Sequence, residues 1–219
     1  QYEAGSTVKG ATVLAGYQAG LPHNKVYYDQ PLLIKGTPVK GSYGHLGSMT
    51  DLKALEKSSN VYMFRVAMFI AGINYVPNAP LNVTSEDFQT LRNYFAQFGL
   101  GVPTGIDLPQ ESAGLQVEPD QAGKLLDISI GQFDTYTPLQ LAQYVSVIAN
   151  GGYRVQPRIV TSIHEPLEDS ELGPIAINKE PKVLNQVENT KADIERVQKG
   201  FRRVVTSGTA SKDIHYDVA

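Results

Sequence analysis

The chain has no cysteine and no tryptophan among its 219 residues. Without cysteine there are no disulfides and no thiolate metal ligands. The compartment stays open, because many extracytoplasmic proteins also do without cysteine. The missing tryptophan leaves 12 Tyr to supply most of the aromatic area. Positive charge is not in excess either: 19 Lys and Arg face 22 Asp and Glu, for a net charge of −3. A nucleic-acid footprint, which needs a basic patch or stripe, is therefore not expected. Long apolar runs are missing. The longest stretch, Val61 to Ile73, contains Arg65 and is too short to cross a bilayer. It reads as a buried helix, so no membrane contact is expected from this chain and any anchor would lie outside it. Histidine is sparse, and His23, His45, His164 and His215 share no ligand spacing, so no metal site is expected. The glycine-rich stretches fit neither a P-loop nor a dinucleotide fingerprint.

What is present is a set of helix signals. With 42% hydrophobic residues the chain can build a core. Val8, Ala11, Thr12 and Ala15 predict a first helix opening near Ser6 and closing at Gly16 or Gly20. Residues 18–43, broken by Pro22, Pro31 and Pro38, read as loop and short strand. Ser48-Met49-Thr50-Asp51 reads as a capping box for a short helix ending near Lys57. A third helix from Val61 to about Ala71 is apolar on most faces, which predicts a central position. Thr84 caps a fourth, with Phe88, Leu91, Tyr94, Phe95 and Phe98 inward and Gly99 at its end. Residues 99–114 read as loop. Thr137-Pro138 opens another helix with Leu141, Ala142, Val145, Ile148 and Ala149 inward, closed by Gly151-Gly152. Arg154 to Ile163 reads as strand or hairpin, and residues 167–186 as irregular. Thr190 and Asp193 open the last helix. No repeat, low-complexity tract or linker divides the chain, so residues 1–219 are expected to form one unit.

Two short motifs carry chemistry. Ser6 and Lys9 in Gly5-Ser6-Thr7-Val8-Lys9 are three apart and share a helix face. An amine beside a hydroxyl activates a serine without histidine. At a helix start, free N–H groups favour developing negative charge on Ser6. A lysine partly desolvated beside Val8 and Ala11 loses basicity, as a neutral general base requires, and Gly10 offers close packing beside it. Ser58-Ser59-Asn60 supplies a second hydroxyl and an amide that both donates and accepts. Each motif alone has a plain alternative: Ser6 as a helix cap with Lys9 solvated, and residues 58–60 as a helix-junction turn. Asp107, Glu111 and Asp134 are candidate paired carboxylates, although loop acids are usually solvated.

Together, S-x-x-K and S-x-N form a motif set of penicillin-recognising acyl enzymes. Tyr2-Glu3-Ala4-Gly5-Ser6-Thr7-Val8-Lys9 resembles the active-serine region of class B penicillin-binding proteins. Ala54 to Met63 resembles their second motif. Phe98-Gly99-Leu100-Gly101 with Thr104 to Pro109, and Ile130 to Asp134 followed by Thr137 to Ala142 and Ala149 to Gly152, resemble further blocks in the same order. The wording is closest to the monofunctional enzymes of Gram-positive cocci and their relatives.

The resemblance implies an α+β transpeptidase fold of the serine β-lactamase kind, here mainly its helical subdomain with most of the central antiparallel sheet outside the chain. It implies a D,D-transpeptidase in which Ser6 is the nucleophile, Lys9 the base, Ser58 a proton relay to the departing D-alanine and Asn60 a binder of the donor peptide. Its partners would be peptidoglycan stem peptides ending in D-Ala-D-Ala, β-lactams and cell-wall synthesis proteins. No cofactor is implied. Localisation would be the outer face of the cytoplasmic membrane. The family's third motif, K-T-G or K-S-G on an edge strand, does not occur. Thr206-Ser207-Gly208-Thr209-Ala210 has the small residues without the lysine, and Asp217-Val218-Ala219 falls about where the motif strand would follow. Both ends thus read as cuts within a domain. The serine helix is expected to expose apolar surface, and the 219 residues alone to be poorly folded or inactive. The alternatives are a β-lactamase or D,D-carboxypeptidase of the same fold, and a non-catalytic β-lactam-sensing domain.

Overall fold

A computed structural model describes residues 1–167 and 171–212; His215 and the segment Asp217-Val218-Ala219 lie outside them. The Ser6 segment begins as a strand, β1 (Tyr2–Glu3), and a 3-10 turn, Gly5–Val8, which leads into α1 (Lys9–Gln18). Every residue of α1 from Lys9 to Tyr17 is buried. The expectation of an apolar serine helix left open is therefore corrected: other helices enclose it.

The next elements are β2 (Tyr27–Asp29), β3 (Gly47–Met49), α2 (Asp51–Glu56) and α3 (Asn60–Ile70). The α2 cap is Thr50, whose side chain accepts from Lys53 N. Ser48 instead lies in β3, opposite Tyr28 of β2, which corrects the box read from residue 48. Ser59 caps α3, its hydroxyl accepting from Tyr62 N at 3.0 Å. Val61, Tyr62, Met63, Phe64, Val66, Ala67 and Met68 are all buried, as a helix apolar on most faces requires, and α3 packs against α1.

Helix α4 (Ser85–Ala96) opens with a reciprocal capping box between Thr84 and Asp87 and buries Phe88, Leu91 and Phe95. A short α5 (Lys124–Ser129), absent from the sequence reading, packs Leu125, Leu126 and Ile128 into the core against α3. Strand β4 (Thr135–Tyr136) pairs with β1, so Tyr2 faces Tyr136 and Glu3 faces Thr135. Helix α6 (Pro138–Ala149) has its box at Thr137 and Gln140. Its buried face is Gln140, Gln143, Tyr144, Val147 and Ile148, whereas Ala142 and Ala149 are exposed and Val145 is 48% exposed. The expected inward face is thus rotated. Polar residues turn inward because the neighbouring loops present carbonyls: Gln140 Nε2 donates to Val102 O and Ala113 O, and Gln143 Nε2 to Thr104 O and Val155 O, at 2.9–3.1 Å.

The segment read as strand and then irregular is an arm of two nested antiparallel pairs. Strand β5 (Tyr153–Val155) pairs with β8 (Val183–Gln186), and β6 (Ser162–His164) with β7 (Ile175–Asn178). Helix α7 (Lys191–Thr206) opens with the Thr190 and Asp193 box and lies against α2 and α1. Among the described residues all sheets are two-stranded, and α1, α3, α4, α5 and α6 contribute to the hydrophobic core. No helix among them is long and apolar enough to cross a membrane.

Candidate active site

Lys9 opens α1 and is 2% exposed. Its ammonium has three donors, and three acceptors meet it: Ser58 O at 2.7 Å, Ser58 Oγ at 2.9 Å and Asn60 Oδ1 at 2.6 Å. Ser58 Oγ in turn donates to Ser6 Oγ at 3.1 Å. The four residues singled out in the sequence therefore meet, with Ser58 standing between Lys9 and Ser6. Ser6 is exposed at the surface of the 3-10 turn. Burial lowers the Lys9 pKa from 10.5 to about 8, while the charge of Asp29 pulls it upward. A lysine so placed gives up its proton around pH 8, well below the ordinary lysine range.

Ser58 adopts a left-handed backbone, φ 54°, which a residue with a side chain seldom takes. This turn directs both its carbonyl and its hydroxyl at Lys9. Asn60, at the first position of α3, is held at both ends of its amide. Oδ1 accepts from Lys9, and Nδ2 donates to Gly41 O at 3.3 Å. Among the described residues the second N–H of that amide has no hydrogen-bond partner.

The scaffold around Ser6 uses residues that carried no motif chemistry. Gly5 N donates to Gly131 O at 2.8 Å, tying the Ser6 turn to the Ile130-Gly131-Gln132 block. Gly131 has φ +76°, and a Cβ there would lie 2.6 Å from Gly5 N. Tyr144, fully buried on α6, donates to Thr7 O at 2.9 Å and accepts from Ala11 N at 3.2 Å, clasping the start of α1. A tyrosine inside a helix gives no sequence sign of such a role, and neither does Asp29.

The other candidates are dispersed. Asp134 is buried in a two-pronged ion pair with Arg92, at 2.7 and 2.9 Å. That corrects the view of it as a solvated loop acid. Glu111 accepts from the N–H groups of Thr104 and Gly105, and Asp107 from those of Ile159 and Val160. The three carboxylates thus bind elsewhere and do not pair with one another. His23 bonds Asp193, and His164 bonds Ser162 and Gly173 O. Among the described residues no group of three or more His, Asp or Glu is placed to hold a metal ion.

Residues 1–219 match the penicillin binding protein transpeptidase domain family. Penicillin-binding protein H of Bacillus subtilis is 58% identical over 220 residues, covering 100% of this chain and 31% of that protein. Penicillin-binding protein 2B of Streptococcus pneumoniae strain 5204 superposes with a TM-score of 0.89 at 37% identity, covering 94% of this chain and 35% of that one. Penicillin-binding protein 3 of Mycobacterium tuberculosis, solved in complex with aztreonam, superposes with a TM-score of 0.71 at 27% identity, covering 93% of this chain and 42% of that one. The chain spans about a third of the length of the curated relative. With its α+β fold and its full-length match, it belongs to the family of class B penicillin-binding protein transpeptidase domains, of Gram-positive type.

Proposed function

We propose that the protein to which this chain belongs is a serine D,D-transpeptidase that cross-links peptidoglycan stem peptides. The observation that carries the proposal is the continuous hydrogen-bonded path from buried Lys9 through Ser58 to exposed Ser6, in a member of this family. Ser6 Oγ attacks the carbonyl between the two terminal D-alanines. Its proton passes toward neutral Lys9, with the Ser58 hydroxyl between them. The peptide C–N bond then breaks. The leaving D-alanine nitrogen takes a proton from Ser58, which Lys9 replenishes, and Ser6 is left as an ester. An amine on a neighbouring stem attacks that ester, the new amide forms, and the Ser6 hydroxyl is restored. The free N–H of Asn60 holds the donor peptide backbone.

A β-lactam mimics the D-Ala-D-Ala unit, and its ring amide opens on Ser6 in the same way. The aztreonam complex of the Mycobacterium tuberculosis relative supports this reading. The substrate places the site on the outer face of the cytoplasmic membrane, among cell-wall synthesis partners, anchored by a segment not in this chain. Residues 1–219 form one part of the transpeptidase domain with no internal boundary.

The test supplies the full-length protein with a donor peptide ending in D-Ala-D-Ala and an amine acceptor. Release of D-alanine with a cross-linked product supports transpeptidation, and Ser6→Ala should abolish both. D-alanine release with hydrolysed donor alone would assign a carboxypeptidase instead. No release at all would favour a sensing domain.

A further inference from the structure

A buried carboxylate lies behind the Ser58–Asn60 turn. Asp29, at the end of β2, is 3% exposed. Its Oδ2 accepts from the Ser42 hydroxyl at 2.7 Å and from the Ser59 hydroxyl at close range. Both hydroxyls pass the interaction on. Ser42 Oγ accepts from Asn60 N at 2.9 Å and Val61 N at 3.2 Å, and Ser59 Oγ accepts from Tyr62 N at 3.0 Å. The first three N–H groups of α3, which have no partner within the helix, are therefore satisfied by two serines held on one carboxylate. The negative charge also complements the positive end of the α3 dipole.

This relay fixes the residues that meet Lys9. Ser58 immediately precedes the capping serine and holds a left-handed backbone, which persists only where the surroundings over-determine it. Asn60 carries one of the clasped N–H groups. We infer that Asp29 is a positioning residue for acyl transfer, holding the Ser58–Asn60 turn against Lys9 through the hydroxyls of Ser42 and Ser59. The inference rests on the acyl-transfer reading of Ser6 and Lys9.

Asp29 also faces Lys9 electrostatically and raises its pKa against the effect of burial. Of the charged or titratable groups on the helices around α1, Tyr62 of α3 is kept neutral by burial. From α6, Tyr144 is kept neutral by burial. From α2 and α7, Asp51 and Arg196 pair with each other beside Tyr17, at the far end of α1. Asp127 of α5 pairs with Lys40.

The test is the rate at which a fluorescent penicillin acylates the full-length protein, followed from pH 6 to pH 10. Ser42→Ala keeps the carboxylate and removes one relay. Its high-pH plateau should fall roughly tenfold or more, while the rising limb stays in place. Asp29→Asn removes the charge as well. Neutral Lys9 is the active form, so a lower lysine pKa should move the limb about one unit toward acid. In Asp29→Asn, loss of the hydrogen bonds alone would lower the plateau without moving the limb. A wild-type plateau in Ser42→Ala overturns the positioning role, whether or not Asp29→Asn folds. A limb left in place in a folded Asp29→Asn overturns the electrostatic part. Both of these leave the acyl-enzyme reading standing. Wild-type protein that takes no label sinks the acyl-enzyme reading, and the Asp29 role with it.

Discussion

Gly10 lies beside Lys9 on a face of α1 with no room for a methyl group. A Cβ at residue 10 would fall 2.6 Å from Tyr144 Oη and closer still to Phe201 Cζ, whereas ordinary contact begins near 3.4 Å. Gly10→Ala therefore forces Tyr144 back by about 0.8 Å, the difference between 3.4 and 2.6. Phe201 must shift further. The Tyr144 hydroxyl is bound to Thr7 O at 2.9 Å and Ala11 N at 3.2 Å, so such a displacement breaks at least one of these bonds. Overpacking costs about 1–3 kcal/mol, and a lost buried hydrogen bond about 1 kcal/mol. Replacing glycine by alanine within a helix returns about 1 kcal/mol. The net expectation is a loss of about 1–3 kcal/mol. The assay is thermal or denaturant unfolding of the full-length protein, with Gly44→Ala as the control. Nothing lies within 4 Å of a Cβ at Gly44, so that change should stay within about 0.5 kcal/mol. Acylation by a penicillin should also slow, because the strained turn carries Lys9. If Gly10→Ala unfolds with Gly44→Ala and acylates at the wild-type rate, the packing argument around Lys9 is wrong.

Further consequences can be measured. Acylation should climb with pH through about 8 and then level, because Lys9 must lose its proton before it can act as a base and burial has brought its pKa down to about 8. A flat profile from pH 6 to pH 10 would remove Lys9 from that role. Arg92→Ala strands the buried Asp134 carboxylate and should cost about 3–5 kcal/mol by denaturant titration; replacing both partners by apolar residues should cost less. Asp51 is held below the usual carboxylate pKa. Burial opposes this, but hydrogen bonds from Arg196 and Tyr17 outweigh it. Its stabilisation is therefore present above the ordinary carboxylate range and lost as the pH falls below it, so Asp51→Asn should flatten the acid limb of a stability profile.

The helices that begin with side-chain grammar could be read from the sequence. Thr84, Thr137 and Thr190 each cap a helix and close a box with the residue three positions on. Meetings at long range were legible only through the motif set, since nothing local to Ser6 points to Ser58. The rest was hidden for physical reasons. Helix α5 has six residues, too few to show a period. Strand β7 is exposed at all four positions, so apolar and polar residues do not alternate along it. On α6, Ala142, Val145 and Ala149 lie outward although Ile148 is buried as predicted, because Gln140 and Gln143 are needed inside to bind loop carbonyls. Asp29 is one of 22 acidic residues and belongs to no motif. Its importance arises only when β2, Ser42 and Ser59 come together.

The most direct test is to treat the full-length protein and its Ser6→Ala variant with a fluorescent penicillin, then map the labelled peptide by mass spectrometry. The label should sit on the peptide containing Ser6 and disappear in Ser6→Ala. A label retained in the variant, or mapped to Ser58, would contradict the assignment of the nucleophile.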